Sequence, residues 1–550
     1  MSSSLFGIGL SGLRASQIAL NTTSNNISNV DTEGYNRQIT QLSQNTGSSA
    51  GGSFSGNGVT VTGVERQYQQ YLNNQLNSAQ STQSALSANL SQATQIDNLL
   101  ADNEAGINTQ MQQFFAGLQT VADNPSDTAA RQSLLGNAES MTAQFNSTGQ
   151  YFDNLDKSVE SQMGTAVEQI NGYASQLAKL NDQISQTTAK TGMPPNGLMD
   201  QRDAIVTNLN RLTDVSVVNQ EGQFNVSLPG GQPLVIGDKA NSLSLISSKD
   251  DPDRKTIGFN TPTGQTLELN EQQFSKGTLG GLIGFRNDVL EPASHRLDQL
   301  AQTLGSRINA LNKQGEVLGS NQAGEALFST ADPVVRTSTD NEGSGSLTAE
   351  FALDADGNFN ASAIRPSNYQ VEADGSGNFT VTRLSDGKTV TPDADGAYDG
   401  LSITLSGGAA AGDTFTIKPL EGAASNMQLL ASDPADIAAR SPGEGSGGNS
   451  NALKMAALQD EKVVNGNASF NSAYAQIVSS VGNQVATLSS KSDAQGQVVQ
   501  ELQSAQQSVS GVNLDEEAAN LVRYQQLYTA NAQVIRTASG LFDTLLGIMS

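Results

Sequence analysis

The chain has 550 residues and a formal net charge of −25, and 36% of its residues are hydrophobic whereas only 15% are charged. Its length predicts several domains, and its lack of cysteine excludes disulfides, thiolate metal sites and cysteine nucleophiles. The negative charge disfavours nucleic acid and anionic lipid as partners. We expect no membrane span, because no apolar run is long enough, and no cleaved signal peptide, because the first residues lack a basic segment.

The first forty residues predict an amphipathic helix. Its apolar residues have the heptad spacing of a coiled-coil seam, which comprises Phe6, Leu10, Leu13, Leu20 and Ile27. Asn, Ser and Thr in the segment 21–26 lower the helix propensity, because their side chains compete for backbone hydrogen bonds. We therefore expect a helix that ends near Gly34 and that needs a partner helix.

Helical and β patterns alternate through the middle of the chain. Five segments predict helices: 72–100, 107–121, 124–190, 200–212 and 278–314. Strands are predicted at 59–62, in a hairpin at 215–228 around Glu221-Gly222, at 234–236, 257–259 and 267–269, and in a second β region at 346–418. The Gly/Ser-rich segment 441–450 predicts a flexible link, after which helix resumes to the C-terminus.

The C-terminal segment predicts a helix that is apolar on more than one stripe. One row of residues has an unbroken seven-residue spacing: Leu514, Leu521, Tyr528, Ile535, Phe542 and Met549. A second row follows the same spacing at Leu527, Val534, Leu541 and Ile548, and Tyr524, Ala538 and Leu545 widen the face. One partner needs a single stripe, so two rows predict more than one partner helix. Asn513 and Glu516 have the spacing of a capping box at its start.

Three patterns that imitate functional sites are better explained by structure. Gly7–Gly12 matches G-x-G-x-x-G, but it lacks the preceding strand that a dinucleotide site requires, so we expect a flexible helix entry. His295 is the only histidine, and in a helical segment it is expected to be a packed or surface residue. Asp354–Asn358 has part of a calcium loop without its closing Glu, which favours a β-turn. We expect no catalytic residue, no metal site and no cofactor.

Both ends of the chain resemble one family of proteins. Residues 25–38, NNISNVDTEGYNRQ, resemble the N-terminal signature of bacterial flagellar axial proteins, the rod, hook and hook-associated proteins. Residues 511–526, GVNLDEEAANLVRYQQ, and 542–546, FDTLL, resemble the matching C-terminal signature. The chain departs from the family pattern at Glu33, where Pro is common, and at Asn36, where Ser is frequent.

Internal stretches are similar to the hook-associated branch of this family, whose members join the hook to the filament. They are 124–132 (NPSDTAARQ) with 144–146 (QFN), 198–203 (LMDQRD) and 279–284 (LGGLIG). The resemblance implies self-assembly into a ring or tube, with the hook protein and a second hook-associated junction protein as neighbours. It also implies type III export to the extracellular flagellum, with a chaperone holding the C-terminal helix beforehand.

The predicted fold class is α+β multidomain, with a discontinuous terminal α-helical coiled-coil domain and a helical-bundle domain that carry inserted β-rich outer domains. We expect a terminal assembly domain at 1–65 and 511–550, a helical-bundle domain at 66–212, 276–330 and 425–510, a β-rich insert at 213–275, and a β-rich outer domain at 331–424. The predicted assembly interface consists of the apolar heptad positions at both ends: Phe6, Leu10, Leu13, Leu20, Ile27, Leu514, Leu521, Tyr524, Leu527, Tyr528, Val534, Ile535, Leu541, Phe542, Leu545 and Met549.

Two other functions are compatible with the sequence. A hook or rod subunit would share the terminal signatures, although the internal stretches argue against it. An exported surface protein could use the region 331–424 to bind glycans. No cluster of titratable residues in either β insert has catalytic spacing, so we do not expect a hydrolase.

Overall fold

The computed structural model describes residues 2–45, 49–50, 53–54, 56–101, 106–353, 359–360, 362–392 and 396–549. Within these residues lie ten α-helices: α1 (Ser2–Ser28), α2 (Gln70–Leu100), α3 (Ile107–Asp123), α4 (Thr128–Thr191), α5 (Asn196–Leu212), α6 (Gly277–Phe285), α7 (Glu291–Gln314), α8 (Ser450–Ala457), α9 (Phe470–Ser510) and α10 (Leu514–Met549). None of these helices has the length and apolarity needed to cross a bilayer.

The strands of the described residues form six small sheets. They are β1 (Gln38–Gln44), β2 (Ser49–Ala50), β3 (Ser53–Phe54), β4 (Val59–Arg66), β5 (Ser216–Gln220), β6 (Gln223–Ser227), β7 (Pro233–Ile236), β8 (Lys239–Ala240), β9 (Ser242–Ser247), β10 (Lys255–Asn260), β11 (Thr266–Glu268), β12 (Val334–Thr337), β13 (Leu347–Phe351), β14 (Tyr369–Asp374), β15 (Phe379–Arg383), β16 (Lys388–Val390), β17 (Ala397–Tyr398), β18 (Leu401–Leu405) and β19 (Ala411–Lys418).

The chain divides into two compact units, and the boundaries fall inside α2, α4, β9 and α9. Unit 1 contains residues 1–84, 169–242 and 493–550. Unit 2 contains residues 85–168 and 243–492. Each unit is therefore built from separated stretches of sequence, so neither can form until distant parts of the chain have met.

Unit 1 brings the two ends of the chain together. Helices α1 and α10 pack along each other, and the antiparallel hairpin of β1 and β4 packs against α1. Strands β5 to β8 form a four-stranded sheet in sequence order. Its first turn has positive φ at both Glu221 (53°) and Gly222 (86°), the conformation that a two-residue hairpin with the correct twist requires.

The helical part of unit 2 is organised around aromatic side chains. Phe114 makes edge contacts with Phe115 and Phe328, with ring centroids 5.5 and 5.7 Å apart, and Phe115 stacks on Phe470 at 5.9 Å. Helices α6 and α7 are joined by a π-helical turn, Arg286–Leu290. Fully buried phenylalanines from three separated stretches of the chain fix which segments meet, because each ring needs its own partner surface.

Most strands of unit 2 form a two-sheet sandwich, and β9 to β11 form a separate three-stranded sheet. One sheet has the order β12-β19-β14-β15-β16, and the other has the order β13-β18-β17. Inward-facing side chains from both sheets share one core, which includes Leu347, Tyr369, Val371, Val381, Leu401, Ile403, Phe415 and Ile417. This sandwich lies within residues 334–418, close to the predicted outer β region.

The structure confirms the predicted α+β class and corrects several local predictions. The segment 441–450 is not a flexible link, since Arg440 donates to the carbonyl oxygen of Glu444 and Ser126 donates to that of Ser446, both at 2.8 Å. The helix at the N-terminus ends at Ser28, six residues before Gly34. Asn513 caps α10 by accepting from the N–H of Asp515, but the carboxylate of Glu516 pairs with Arg37 instead of completing a capping box.

Candidate assembly site

The apolar row predicted on α1 is only partly covered. Leu10, Leu13, Leu20 and Ile27 are half-buried, and Phe6 is exposed. None of them is fully buried in the single chain. The predicted row on α1 therefore keeps apolar surface available for contacts beyond its own unit.

The two apolar rows of α10 have different surroundings. Half-buried members lie on the side toward α1: Leu521, Tyr524, Tyr528 and Ile535. The second row is more exposed: Leu527, Val534 and Leu541 are exposed by 46%, 39% and 49%, although Val534 also lies beside Gly9 of α1. Leu514 and Phe542, near the ends of the helix, are also exposed. The side chains of Leu545 and Met549 lie outside the described residues.

The buried face of α1 consists of small and polar residues spaced three and four apart. Gly12 is half-buried, and the buried members are Gly9, Ser16, Ala19, Thr23 and Asn26. A Cβ at Gly9 would lie 2.9 Å from Ile535, and a Cβ at Gly12 would overlap the amide of Asn531. Gly9 and Gly12 of the G-x-G-x-x-G pattern therefore permit a close helix contact, whereas Gly7 faces open space, and this contact replaces the predicted flexible helix entry. We call this face the small-residue seam.

A buried polar cluster closes the far end of the seam. Asn26, 1% exposed, donates to Oε2 of Glu517 at 3.2 Å. Tyr35 donates its hydroxyl to Oδ1 of Asn26 at 2.8 Å, and Arg37 donates through Nε to Oε1 of Glu517 at 2.8 Å. Burial, with the negative charges of Asp200 and Glu517, raises the pKa of Tyr35 to about 12, so its hydroxyl stays a donor at neutral pH.

The exposed neighbour Glu516 completes this cluster. Its Oε2 lies 2.8 Å from Nη1 of Arg37, whereas Nη2 of Arg37 lies 2.8 Å from the buried Glu517. One guanidinium thus holds two successive carboxylates of α10. We call Asn26, Tyr35, Arg37, Glu516 and Glu517 the terminal clasp.

The clasp is tied to the rest of unit 1 through the LMDQRD stretch. Asn36 donates to Oδ1 of Asp200 at 2.7 Å, and Nη1 of Arg66 lies 2.7 Å from the same oxygen and 2.8 Å from Oδ2 of Asp203. Arg202 lies over the ring of Phe224, 3.3 Å from its centroid. Asn36, where the family often has Ser, therefore has a defined contact in this chain.

The other stretches that resemble the family have structural contacts. Asp127 caps α4 by accepting from the N–H of Ala129, and the buried Arg131 donates to the carbonyl oxygens of Pro125 and Pro434 at 2.7 and 3.0 Å. Burial without a nearby carboxylate lowers the pKa of Arg131. In LGGLIG, a Cβ at Gly281 would overlap the backbone of α2. These residues hold unit 2 together.

Two candidates from the sequence remain, His295 and the turn predicted at 354–358. Burial lowers the pKa of His295, and the charged groups around it are Glu291, Lys418, Arg254 and Glu421. Among the residues that the structure describes, no group of His, Asp and Glu has the arrangement of a metal site. The predicted turn at 354–358 lies outside the described residues.

The small-residue seam and the terminal clasp were not predicted from the sequence. The seam has a visible signal, since Gly9, Gly12, Ser16, Ala19 and Thr23 follow heptad spacing as regularly as the leucines do. Small residues at such spacing allow two helices to approach closely. Because most of them are only weakly apolar, hydrophobic periodicity does not reveal this row. The clasp has no local signal, because Asn26 and Glu517 are 491 positions apart.

Family models match most of the chain. A model described as the flagellar hook-associated protein FlgK helical domain matches residues 93–328, and one described as the flagellar hook-associated protein 1 D2-like domain matches 336–419. A flagella basal body rod protein model matches residues 6–36, and a flagellar basal body rod FlgEFG C-terminal model matches 503–548. The rod models thus cover only the two ends, which contain α1 and α10.

Whole-chain relatives agree with these matches. The chain is 42% identical to flagellar hook-associated protein 1 of Escherichia coli K12 over 99% of its length and 100% of that protein. It is 41% identical to the Salmonella typhimurium protein of that name, over 99% and 100%. A solved structure of the flagellar hook junction protein FlgK from Burkholderia pseudomallei matches with a TM-score of 0.74 and 29% identity, over 80% of this chain and all of that one. The chain belongs to the flagellar hook-associated protein 1 family.

Proposed function

We propose that this chain is a structural subunit of the hook–filament junction, and that it assembles by packing the outer row of α10, Leu527, Val534 and Leu541, against helices of neighbouring copies. The exposure of this row is the observation that carries the proposal. The neighbouring row of α10 already faces α1, and the chain itself covers the outer row only in part, where Val534 lies beside Gly9 of α1. Full burial of an exposed side chain of this kind contributes about 1.5–3 kcal/mol, and these half-covered side chains can still gain roughly half of that each, which favours a helical neighbour.

The arrangement of the ends supports a tube or ring of identical subunits. Helices α1 and α10 form one rod-like pair, with apolar side chains left on both helices, from Phe6 on α1 to Leu541 on α10. A pair with apolar surface on more than one side can contact copies on each side, as a closed ring requires.

The remaining partners follow from the family. The hook protein and a second hook-associated junction protein are the expected neighbours at the two ends of the zone. Type III export would deliver the chain to the extracellular flagellum. A chaperone bound to α10 before export would cover the same outer row, since an uncovered apolar row promotes aggregation.

The two alternatives have less support. A hook or rod subunit is disfavoured because the models that match the internal regions describe hook-associated proteins. Glycan binding by the region 331–424 stays a prediction, and an array of host glycans probed with the full chain would test it.

Charging the outer row tests the proposal. The double variant Leu527→Asp/Val534→Asp should lower the association constant by at least about a hundredfold, because each neighbour would have to bury a carboxylate. The matched control is Gln526→Asp/Gln533→Asp, which adds the same charge at exposed positions of the same helix. Association is measured by light scattering, and filament attachment by electron microscopy of cells that lack their own junction protein.

The two variants separate a specific interface from a general effect of charge. Circular dichroism should show that both fold like the parent chain, since the substituted positions are exposed. Normal association and filament attachment by the Leu527/Val534 variant would refute the proposed interface. Equal losses in both variants would show that added charge, and not the outer row, causes the defect.

A further inference from the structure

The apolar packing of the terminal helix pair does not by itself define its register. The main row of α10 repeats an apolar residue at every seventh position from Leu514 to Phe542. The small-residue seam repeats small side chains from Gly9 to Thr23. A slide of one heptad, about 10 Å along the axis, therefore places apolar side chains opposite small ones again.

The neighbouring heptad row of α10 does not repeat one kind of side chain, so it can distinguish one register from another. Its buried or half-buried members are Glu517, Tyr524, Asn531 and Ala538, four different side chains. Asn531 meets Gly12, and Glu517 meets Asn26. Heptad spacing between these two contacts places Tyr524 at the level of Ala19. A slide of one heptad in one direction would place the carboxylate of Glu517 beside Ala19, with no donor.

The cost of that slide is concentrated in Glu517. Its carboxylate is 2% exposed and accepts from Asn26 and Arg37 in the observed register. A buried charge that loses its partners is strongly unfavourable, whereas a well-paired one roughly offsets its desolvation. Buried polar residues in otherwise apolar helix pairs are known to select one register at little gain in stability.

We propose that Glu517, held by Asn26 and Arg37, is the positioning residue that fixes the register of the α1–α10 pair. The anchor formed by Asn36, Arg66 and Asp200 holds the turn that presents Arg37, so the register is set relative to unit 1. The register also decides at which height along α1 the outer row of α10 lies. This consequence for assembly rests on the proposed function, whereas the register itself is a property of one chain.

The absence of cysteine allows the register to be read by cross-linking. The pair Gly12→Cys/Asn531→Cys reports the observed register, because these two residues are in contact. The pairs Gly12→Cys/Tyr524→Cys and Gly12→Cys/Ala538→Cys report a slide of one heptad in either direction. Each cysteine pair is placed in three full-length backgrounds: the parent chain, Glu517→Leu and Glu516→Leu. Intramolecular disulfides are then quantified by mass spectrometry at a concentration where the chain is monomeric.

With native Glu517, only the Gly12/Asn531 pair should form. In the Glu517→Leu background, the slipped disulfides should rise by roughly tenfold or more, since a factor of ten needs a change of only about 1.4 kcal/mol. Glu516→Leu is the matched control, because it also removes a carboxylate from Arg37 but leaves the buried one in place. It should keep the single register, and Glu517→Gln, which keeps an acceptor, should slip less than Glu517→Leu.

Three results would overturn the inference. An unchanged disulfide pattern in Glu517→Leu would show that the short connection from Gly511 to Asn513 sets the register instead. Equal amounts of the slipped disulfides in Glu516→Leu would show that loss of either carboxylate beside Arg37, and not of the buried Glu517 in particular, changes the register. Failure of all pairs with native Glu517 would show that the observed register is not adopted. If slipped Glu517→Leu still assembled like the parent, the proposed assembly interface would fail while the register inference stood.

Discussion

Arg202 shows how a single side chain of the LMDQRD stretch acts. Its guanidinium stacks on Phe224, donates from Nη1 to the carbonyl oxygen of Gly222 at 2.9 Å, and lies 3.4 Å from Asp203. It therefore joins α5 to the first hairpin of the four-stranded sheet. A flat, forked cation serves all three contacts at once, and an ammonium group cannot.

Replacing Arg202 by Lys should therefore destabilise the chain although the charge is kept. We expect a loss of about 1–2 kcal/mol in the free energy of unfolding, from the lost stacking and the lost second donor. Urea unfolding followed by circular dichroism measures it. Arg211 provides the control, because its partly exposed side chain forms a long ion pair with Glu33. Arg211→Lys should therefore change stability by less than about 0.5 kcal/mol. Equal effects at the two positions would contradict the role of the stack.

The buried carboxyl of Asp298 should make the free energy of unfolding depend on pH. Burial raises its pKa to about 7, the backbone N–H of Ala424 opposes this shift, and the charges of Asp153 and Glu421 add to it. Since the pKa in the unfolded chain is about 3.9, the folded state binds the proton more tightly. The contribution of this group is complete below about pH 4 and is lost as the pH rises toward 7.

The substitution Asp298→Asn should remove this contribution, because the amide oxygen can still accept from Ala424. We expect the parent chain to lose at least about 1 kcal/mol more than the variant between pH 5 and pH 8. Urea unfolding at both values, followed by circular dichroism, provides the comparison. Parallel pH profiles for the two proteins would show that Asp298 is already ionised in the folded chain.

Single residues of the site differ in how far the sequence could predict them. Heptad spacing identified Leu521, Tyr528 and Ile535 as helix-face residues, because periodicity is a local property. The same reasoning did not distinguish the row that meets α1 from the row that stays exposed. That distinction depends on the seam of the partner helix and on Glu517, whose contacts join opposite ends of the chain.

At the scale of elements, close helix crossings explain the glycines of LGGLIG. A Cβ at Gly281 would overlap the carbonyl oxygen of Ala85 in α2, and backbone cannot move aside as a flexible side chain can. Gly136 in α4 has nothing within 4 Å of the same position. The two glycines thus differ only in what faces them, so they form a matched pair.

Gly281→Ala should lower the free energy of unfolding by about 1–3 kcal/mol, because the helices must separate. Gly136→Ala should raise it by about 0.5–1 kcal/mol, because Ala is the better helix former at an open position. Thermal unfolding followed by circular dichroism gives both shifts. Shifts of the same sign would mean that intrinsic propensity, and not the crossing, governs Gly281.

Long helices were the elements most accessible to sequence reasoning. The segment 124–190 became α4, Thr128–Thr191, because its periodicity persists over many turns. Strands β1 and β9 were not predicted. For β1 the reason is that Gln38–Gln44 is largely polar and pairs only with β4. The segment 441–450 was assigned from its glycine content, but its order comes from contacts with Ser126, just before α4, and with its own Glu444, which composition does not show.

At the scale of the whole molecule, connectivity makes the two chain ends interdependent. Unit 1 contains residues from the start, the middle and the end of the sequence, and the anchor around Asp200 connects all three through Asn36 and the clasp. The α1–α10 pair is therefore presented from a folded base. A helix pair positioned in this way can offer the same apolar row in every copy, which regular assembly requires.

The net charge of −25 sets the conditions under which identical copies can meet. Like-charged subunits repel at long range, and the Debye length shrinks from about 30 Å at 0.01 M salt to about 8 Å at 0.15 M. The outer row of α10 is apolar, so its contact energy is little weakened by salt.

We therefore expect the association rate of the purified chain to rise roughly threefold or more when the salt concentration is raised from 0.01 M to 0.15 M. Stopped-flow light scattering measures this rate, and the Leu527→Asp/Val534→Asp variant should show no comparable rise because it lacks the contact. A rate that falls as salt is added would show that complementary charges, and not the apolar row, drive association.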